Sequence, residues 1–136
     1  AGNQIPDMGL EVVYMKDAKL LPTEAQEQIA FVKYLRMKGI PHFRVPNETF
    51  THSERQKRIN RLLGVSSGVP DLFVVLGSRL VAIEMKRRKG GVLRPSQKRW
   101  LDILESAGIQ TVVCKGADEA IEFINQYLNE GDNEPF

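Results

Sequence analysis

The chain has 136 residues, 42% of them hydrophobic, a net charge of +2 and one cysteine, Cys114. That length fits one compact domain with one core, and a single cysteine excludes both a disulfide framework and a cysteine zinc site. No apolar stretch approaches the roughly 20 residues that cross a bilayer, so no membrane partner is expected.

The N-terminus, Ala1-Gly2-Asn3-Gln4, has no apolar core, so no signal peptide is expected, and the missing initiator Met reads as processing. One unpaired cysteine suits a reducing, intracellular setting. The net charge alone does not announce nucleic acid, but its distribution does. Lys86, Arg87, Arg88, Lys89, Arg94, Lys98 and Arg99 fall in one stretch without Asp or Glu, while acidic residues gather toward the ends, Glu130 and Glu134 among them.

In chain order, residues 1–22 show no clean periodicity and read as an N-terminal arm, with residues 10–15 a short edge strand or part of the arm. Thr23 then N-caps a helix, with Gln26 as its capping-box partner. Ile29, Phe31, Val32 and Leu35 form its apolar stripe and Gly39 ends it. His42 to Val45 reads as a short strand stopped by Pro46. Ser53 caps a second helix that runs through Leu63 to Gly64, with Arg55, Lys57, Arg58 and Arg61 around a narrow apolar side of Ile59, Leu62 and Leu63. Two nearly continuous apolar strands follow, 71–76 and 80–86, joined by a tight turn at Gly77-Ser78. A helix from Pro95 to Ala107 turns Trp100, Leu101 and Leu104 inward. A strand at 110–114 and a closing helix at 117–128, with Ala120, Ile121, Ile124 and Leu128 at helical spacing, complete the domain. The organisation is an arm (1–22), one domain (23–129) and an acidic tail (130–136), with no internal repeat. The element order specifies an α/β fold with a central mixed β-sheet flanked by helices. The strand after the Pro95 helix should run parallel to its predecessor through a right-handed crossover.

The paired strands carry the chemistry. Side chains alternate along a strand, so Glu84 and Lys86 share a face. An antiparallel hairpin folds Asp71 back beside them. Two carboxylates next to one ammonium make a small site for a hard divalent cation, Mg²⁺ or Mn²⁺. The Lys can orient a water or neutralise developing charge. Glu-x-Lys alone reads first as a cross-strand charge pair on a solvated sheet face. Here Asp71 follows Pro70 where the chain enters a strand, and both strands are apolar on both faces, where a charge is costly without a task. The basic run Arg87-Arg88-Lys89 and the helix start after it suit a phosphate backbone. Metal-assisted phosphodiester hydrolysis needs these parts.

GVPDL (68–72), IEMKR (83–87) and LRPSQKRWLDILESAG (93–108) resemble the core of the virus-type replication-repair nuclease family, VRR-NUC, a branch of the PD-(D/E)xK nucleases. Residues 23–40 and RVPNE (44–48) resemble that family's first helix and first strand. Met85 departs mildly, since a branched apolar residue is more usual between the Glu and the Lys. The resemblance implies a restriction-endonuclease-like α/β fold, with Asp71, Glu84 and the Met85 carbonyl as metal ligands and Lys86 at the attacking water and scissile phosphate. It points to Glu24, four residues before Gln28, as a further carboxylate, with Glu27 as the fallback; an acidic helix N-terminus stabilised by the macrodipole is the competing account. Gln97 matches the family's Gln. Arg55, Arg58, Arg61, Arg87, Arg88, Lys89 and Lys98 are the expected DNA contacts. His42 and His52 match no family position, and His42 reads as structural. Trp100 reads as core rather than as a platform for bases.

The expected activity is a Mg²⁺- or Mn²⁺-dependent, structure-selective DNA endonuclease, cutting branched DNA such as Holliday junctions as a homodimer in DNA repair. Its expected setting is the cytoplasm of a bacterial or phage-infected cell. A flap or restriction-type nuclease on the same fold and a non-catalytic nucleic-acid-binding module are the alternatives.

Overall fold

The protein is described by a computed structural model over residues 20–46 and 53–131. Helix α1 spans Glu24–Lys38, β1 His42–Arg44, α2 Glu54–Leu62, β2 Leu72–Leu76, β3 Arg79–Lys86, α3 Pro95–Ser106, β4 Gln110–Lys115 and α4 Ala117–Gly131. This is the order expected from the sequence. Among the described residues four strands form one mixed sheet in the order β1-β2-β3-β4. β1 and β2 are antiparallel, as are β2 and β3, so β4 supplies the parallel neighbour. The Gly116 amide donating to the Lys86 carbonyl at 2.9 Å, at the C-terminal ends of both strands, fits that sense. Among the described residues no helix is long and apolar enough to cross a membrane.

Local chemistry explains the boundaries. Thr23 Oγ1 accepts from the Gln26 amide at 3.1 Å and Gln26 Oε1 accepts from the Thr23 amide at 2.9 Å, a reciprocal capping box. Gly39 closes α1 in the left-handed region at φ +70°. Ser53 Oγ caps α2 by accepting from the Gln56 amide at 3.1 Å. No α2 residue is buried, and Leu62 and Leu63 are 80% and 77% exposed. The helix ends at Leu62, and only Ile59 of the three apolar positions is half-buried. At the other end of the chain, α4 runs to Gly131, past the expected end at Leu128, so Glu130 is helical.

The chain packs as two compact units. One holds residues 20–39, 85–91 and 114–131; the other holds 40–46, 53–84 and 92–113. In the first, α1 packs against α4, with Phe31, Leu35, Ala120 and Ile124 fully buried. The Tyr34 hydroxyl donates to Asn125 Oδ1, and burial raises the phenol pKa. The buried line of α1 is Glu27, Phe31 and Leu35, spaced by four, whereas Ile29 is 54% exposed. A carboxylate takes the place in the stripe that the sequence reading gave to an isoleucine.

In the second unit, Leu72, Val74, Leu76, Val81, Ala82 and Ile83 form the core. Phe43 sits opposite Phe73 across β1 and β2, and the rings stack at 5.3 Å. Gly68 presses on the start of α3. A Cβ there would lie 2.5 Å from the Ser96 carbonyl oxygen, and φ is +93°. Gly68→Ala should therefore lower stability by at least about 1–3 kcal/mol from backbone strain alone, plus the clash. Gly108 has a similar φ of +89° with open space around it, so Gly108→Ala should cost only the strain. Urea midpoints at constant slope measure both; equal losses would mean that the approach to Ser96 is soft.

Candidate functional site

The β2–β3 register pairs Leu72 with Ile83, so one further step sets Asp71 across from Glu84. Opposed residues of neighbouring strands put their side chains on one face. Asp71 itself lies one residue before β2, not inside it as expected. Its carbonyl accepts from the Val45 amide at 2.9 Å, which continues the β1–β2 ladder and fixes the backbone there. Glu84 is only 4% exposed, because Val81 to Lys86 of β3 are buried on both faces.

Gln97 reaches Glu84 from α3. Pro95 starts that helix and Gln97 stands in its first turn. Gln97 Oε1 accepts from the Arg94 amide at 2.9 Å, the backbone half of a capping box. Its Nε2 donates to Glu84 Oε2 at 3.1 Å. One buried amide therefore caps a helix and holds a carboxylate. The acceptor on one end fixes the donor on the other. Glu84 and Lys86 share a face of β3 by alternation, while the fully buried Met85 points to the other. Lys86 is 6% exposed.

The other unit has its own polar cluster. Glu27, 2% exposed, takes a fork of two bonds from Arg88: Nε to Oε2 at 2.7 Å and Nη2 to Oε1 at 3.0 Å. The Ala117 amide also donates to Glu27 Oε1 at 2.9 Å. Residue 116 is a glycine with no side-chain oxygen, so Glu27 caps α4 from another helix, where a negative charge suits the dipole. Arg88 Nη1 donates to Asp118 Oδ2 at 3.2 Å. Arg88 was expected at a phosphate backbone with Arg87 and Lys89; those two are exposed, and Arg88 turns its guanidinium inward. Glu24 stands half-exposed in the first turn of α1. The Glu27–Arg88 pair had a sequence signal, namely a carboxylate four residues before Phe31 on the stripe that continues to Leu35.

Arg55, Arg58, Arg61 and Lys98 are exposed. Trp100 is half-buried and lines a cleft of about 290 Å³ with Val45, Pro46, Leu63 and Val69. Its buried Nε1 has no hydrogen-bond partner among the described residues. His42 Nδ1 lies 2.9 Å from the Ile40 carbonyl oxygen, in keeping with a structural histidine. His52 falls outside the described residues. Among the described residues no three His, Cys, Asp or Glu side chains group as a metal cage.

The VRR-NUC domain model matches residues 23–118. A solved structure named as a VRR-NUC domain protein superposes with a TM-score of 0.58 and 26% identity, over 79% of this chain and 89% of its own. No curated protein matches the chain. The chain belongs to the VRR-NUC family, and its domain is a nuclease of the PD-(D/E)xK type on a restriction-endonuclease-like α/β fold.

Cys114 is the buried residue of β4 at 1% exposure, and burial, helped by the Glu119 charge, pushes its thiol up to about 12. The raised value keeps it a thiol at pH 8, where an ordinary cysteine is partly thiolate. Iodoacetamide should leave the native protein unlabelled at pH 8 and label it fully in urea. Rapid native labelling would place Cys114 in solvent.

Proposed function

We propose that the chain is a Mg²⁺- or Mn²⁺-dependent endonuclease acting on branched DNA, four-way junctions in particular, as a homodimer in cytoplasmic DNA repair. The observation that carries this reading is the pairing of Asp71 with Glu84, Glu84 being held by Gln97, in a chain of nuclease family. The donor set fits the ion. Two carboxylates and the Met85 main-chain carbonyl are hard oxygen ligands, and Mg²⁺ typically takes one or two carboxylates and keeps several waters. When bound, the ion supplies a more acidic water and charge neutralisation at the phosphate.

The chain's own residues do the rest. Asp71 and Glu84 are the proposed ligands, and Gln97 fixes the Glu84 carboxylate in one orientation. The Lys86 ammonium orients the attacking water and offsets charge developing on the scissile phosphate. Glu24 is the proposed further carboxylate. Arg55, Arg58, Arg61, Arg87, Lys89 and Lys98 are exposed and suit the phosphate backbone.

Asp71→Asn, Glu84→Gln and Lys86→Ala should each lower cleavage of labelled four-way junctions by about 10²-fold or more, with thermal melting and junction binding retained. EDTA should abolish cutting by the unaltered protein. Near-normal cutting by Glu84→Gln would sink the site. Metal-independent binding without cutting would favour a binding module, and preferred cutting of flap or duplex DNA would move the substrate.

A junction is resolved by two matched incisions, and one small domain carries one site, hence the proposed two-fold dimer. The exposed Leu62 and Leu63 are candidates for its surface, whereas Phe50 and residues 10–19, also considered from the sequence, fall outside the described residues. A standard interface buries about 800 Å² per partner. Sedimentation at micromolar concentration should return a dimer; a monomer both free and on junction DNA would leave single nicks as the product.

A further inference from the structure

We infer that the Glu27–Arg88 pair is a positioning device for Lys86, acting through the end of β3. The inference rests on the nuclease reading for the role of Lys86 and goes beyond it in assigning what aims that side chain.

Lys86 is the last residue of β3, so the ladder that orders a strand interior ends there. The chain beyond it is held by other means. The Lys86 carbonyl accepts from the Gly116 amide at 2.9 Å. Gly91 folds back so closely that a Cβ would lie 2.9 Å from Lys86 Cβ and 3.1 Å from the Arg87 amide nitrogen. Arg88, two residues on, delivers a two-bond fork to Glu27 and a third bond to Asp118. Its guanidinium passes over Gly116, where a Cβ would meet it at 3.1–3.2 Å. Glu27 in turn receives the Ala117 amide, next to the glycine that holds the Lys86 carbonyl. The carboxylate of Glu27 therefore ties α1, the end of β3 and the start of α4 at a single point.

Two other accounts of Glu27 compete. As a metal ligand or base it would need an oxygen open to the reacting atoms, but three donors converge on its two oxygens at 2.7–3.0 Å. As a mere staple it would affect folding alone, and buried ion pairs are weak evidence for stability, since apolar replacements of like volume are often neutral. Stability and aim can therefore be separated. A shift of about 1 Å at a catalytic group can cost about 10²-fold in rate.

The test uses the full chain. Glu27→Gln keeps the shape and removes the charge, Arg88→Lys removes the fork, and the double variant Glu27→Leu/Arg88→Met replaces the pair with apolar volume. In the expected result the double variant melts within a few degrees of the unaltered protein. It binds junction DNA within twofold and half-saturates at the same Mg²⁺ concentration, yet it cleaves about 10²-fold more slowly in single turnover. Arg88→Lys should restore only part of that rate. A second readout needs neither DNA nor metal: with lysine labelled at ¹³Cε, the Lys86 signal, assigned by its loss in Lys86→Ala, should move in Glu27→Gln while the other lysines stay in place. If the double variant fails to fold, Glu27→Gln below its melting point supplies both readouts. An unmoved Lys86 signal, or a rate loss no larger than the unfolded fraction, would overturn the inference. A Mg²⁺ half-saturation raised tenfold would make Glu27 a ligand and overturn it too. Should the unaltered protein cut nothing, the nuclease reading of the site falls and the catalytic part of this inference falls with it, whereas the lysine spectrum still decides whether the pair aims Lys86.

Discussion

Buried charge is the constraint on which the rest of this structure depends. Glu27, Glu84 and Lys86 are each less than a tenth exposed, and Gln97 joins them. An isolated carboxylate taken from water into a low-dielectric interior is costly enough that it must be met by donors. The chain meets this demand in a specific way for each carboxylate. Glu84 receives the amide of Gln97, and Glu27 receives a guanidinium fork and a helix-terminal amide. These donors are not interchangeable. The Gln97 amide is a neutral donor to Glu84, whereas the fork and the helix end neutralise Glu27 and surround both its oxygens. The second arrangement holds three elements in place.

Much of the scaffolding around these groups follows from the same demand. α3 can present Gln97 to Glu84 only if its first turn is fixed, and Gln97 fixes that turn itself by accepting from the Arg94 amide. Gly68 lets the chain before Asp71 come within van der Waals reach of Ser96, in the same turn. The GVPD segment, the helix start and the carboxylate are therefore one mechanical assembly. The glycine belongs to it for steric reasons, and the glutamine for its two-ended hydrogen bonding.

Several of these features could be read from the sequence. The order of eight elements, the Thr23–Gln26 capping box, the Ser53 cap and the hairpin that opposes Asp71 to Glu84 all follow from local rules of capping and alternation. Local rules failed where the answer is tertiary. The α1 stripe was read through Ile29 because hydrophobic periodicity counts apolar residues only. The true line runs through Glu27, whose burial makes sense only once Arg88, 61 residues away, is seen to meet it. The partners of Arg88 went unseen for the complementary reason. In a run of four cations, Lys86 to Lys89, nothing local distinguishes the third, and its partners Glu27 and Asp118 lie on other elements.

The pairing of Arg88 with Glu27 and Asp118 bears on the basic surface as well. If every cation from Lys86 to Arg99 faced solvent, a continuous electropositive track would follow, and any polyanion would bind it. Lys86 is buried and Arg88 is neutralised by two carboxylates, the buried Glu27 and the exposed Asp118. What remains outward in that segment is intermittent: Arg87, Lys89, Arg94, Lys98 and Arg99. Intermittent cations neutralise separate phosphates rather than a continuous strand. Their contribution to affinity is then sensitive to where the phosphates lie in space, more than to how many there are.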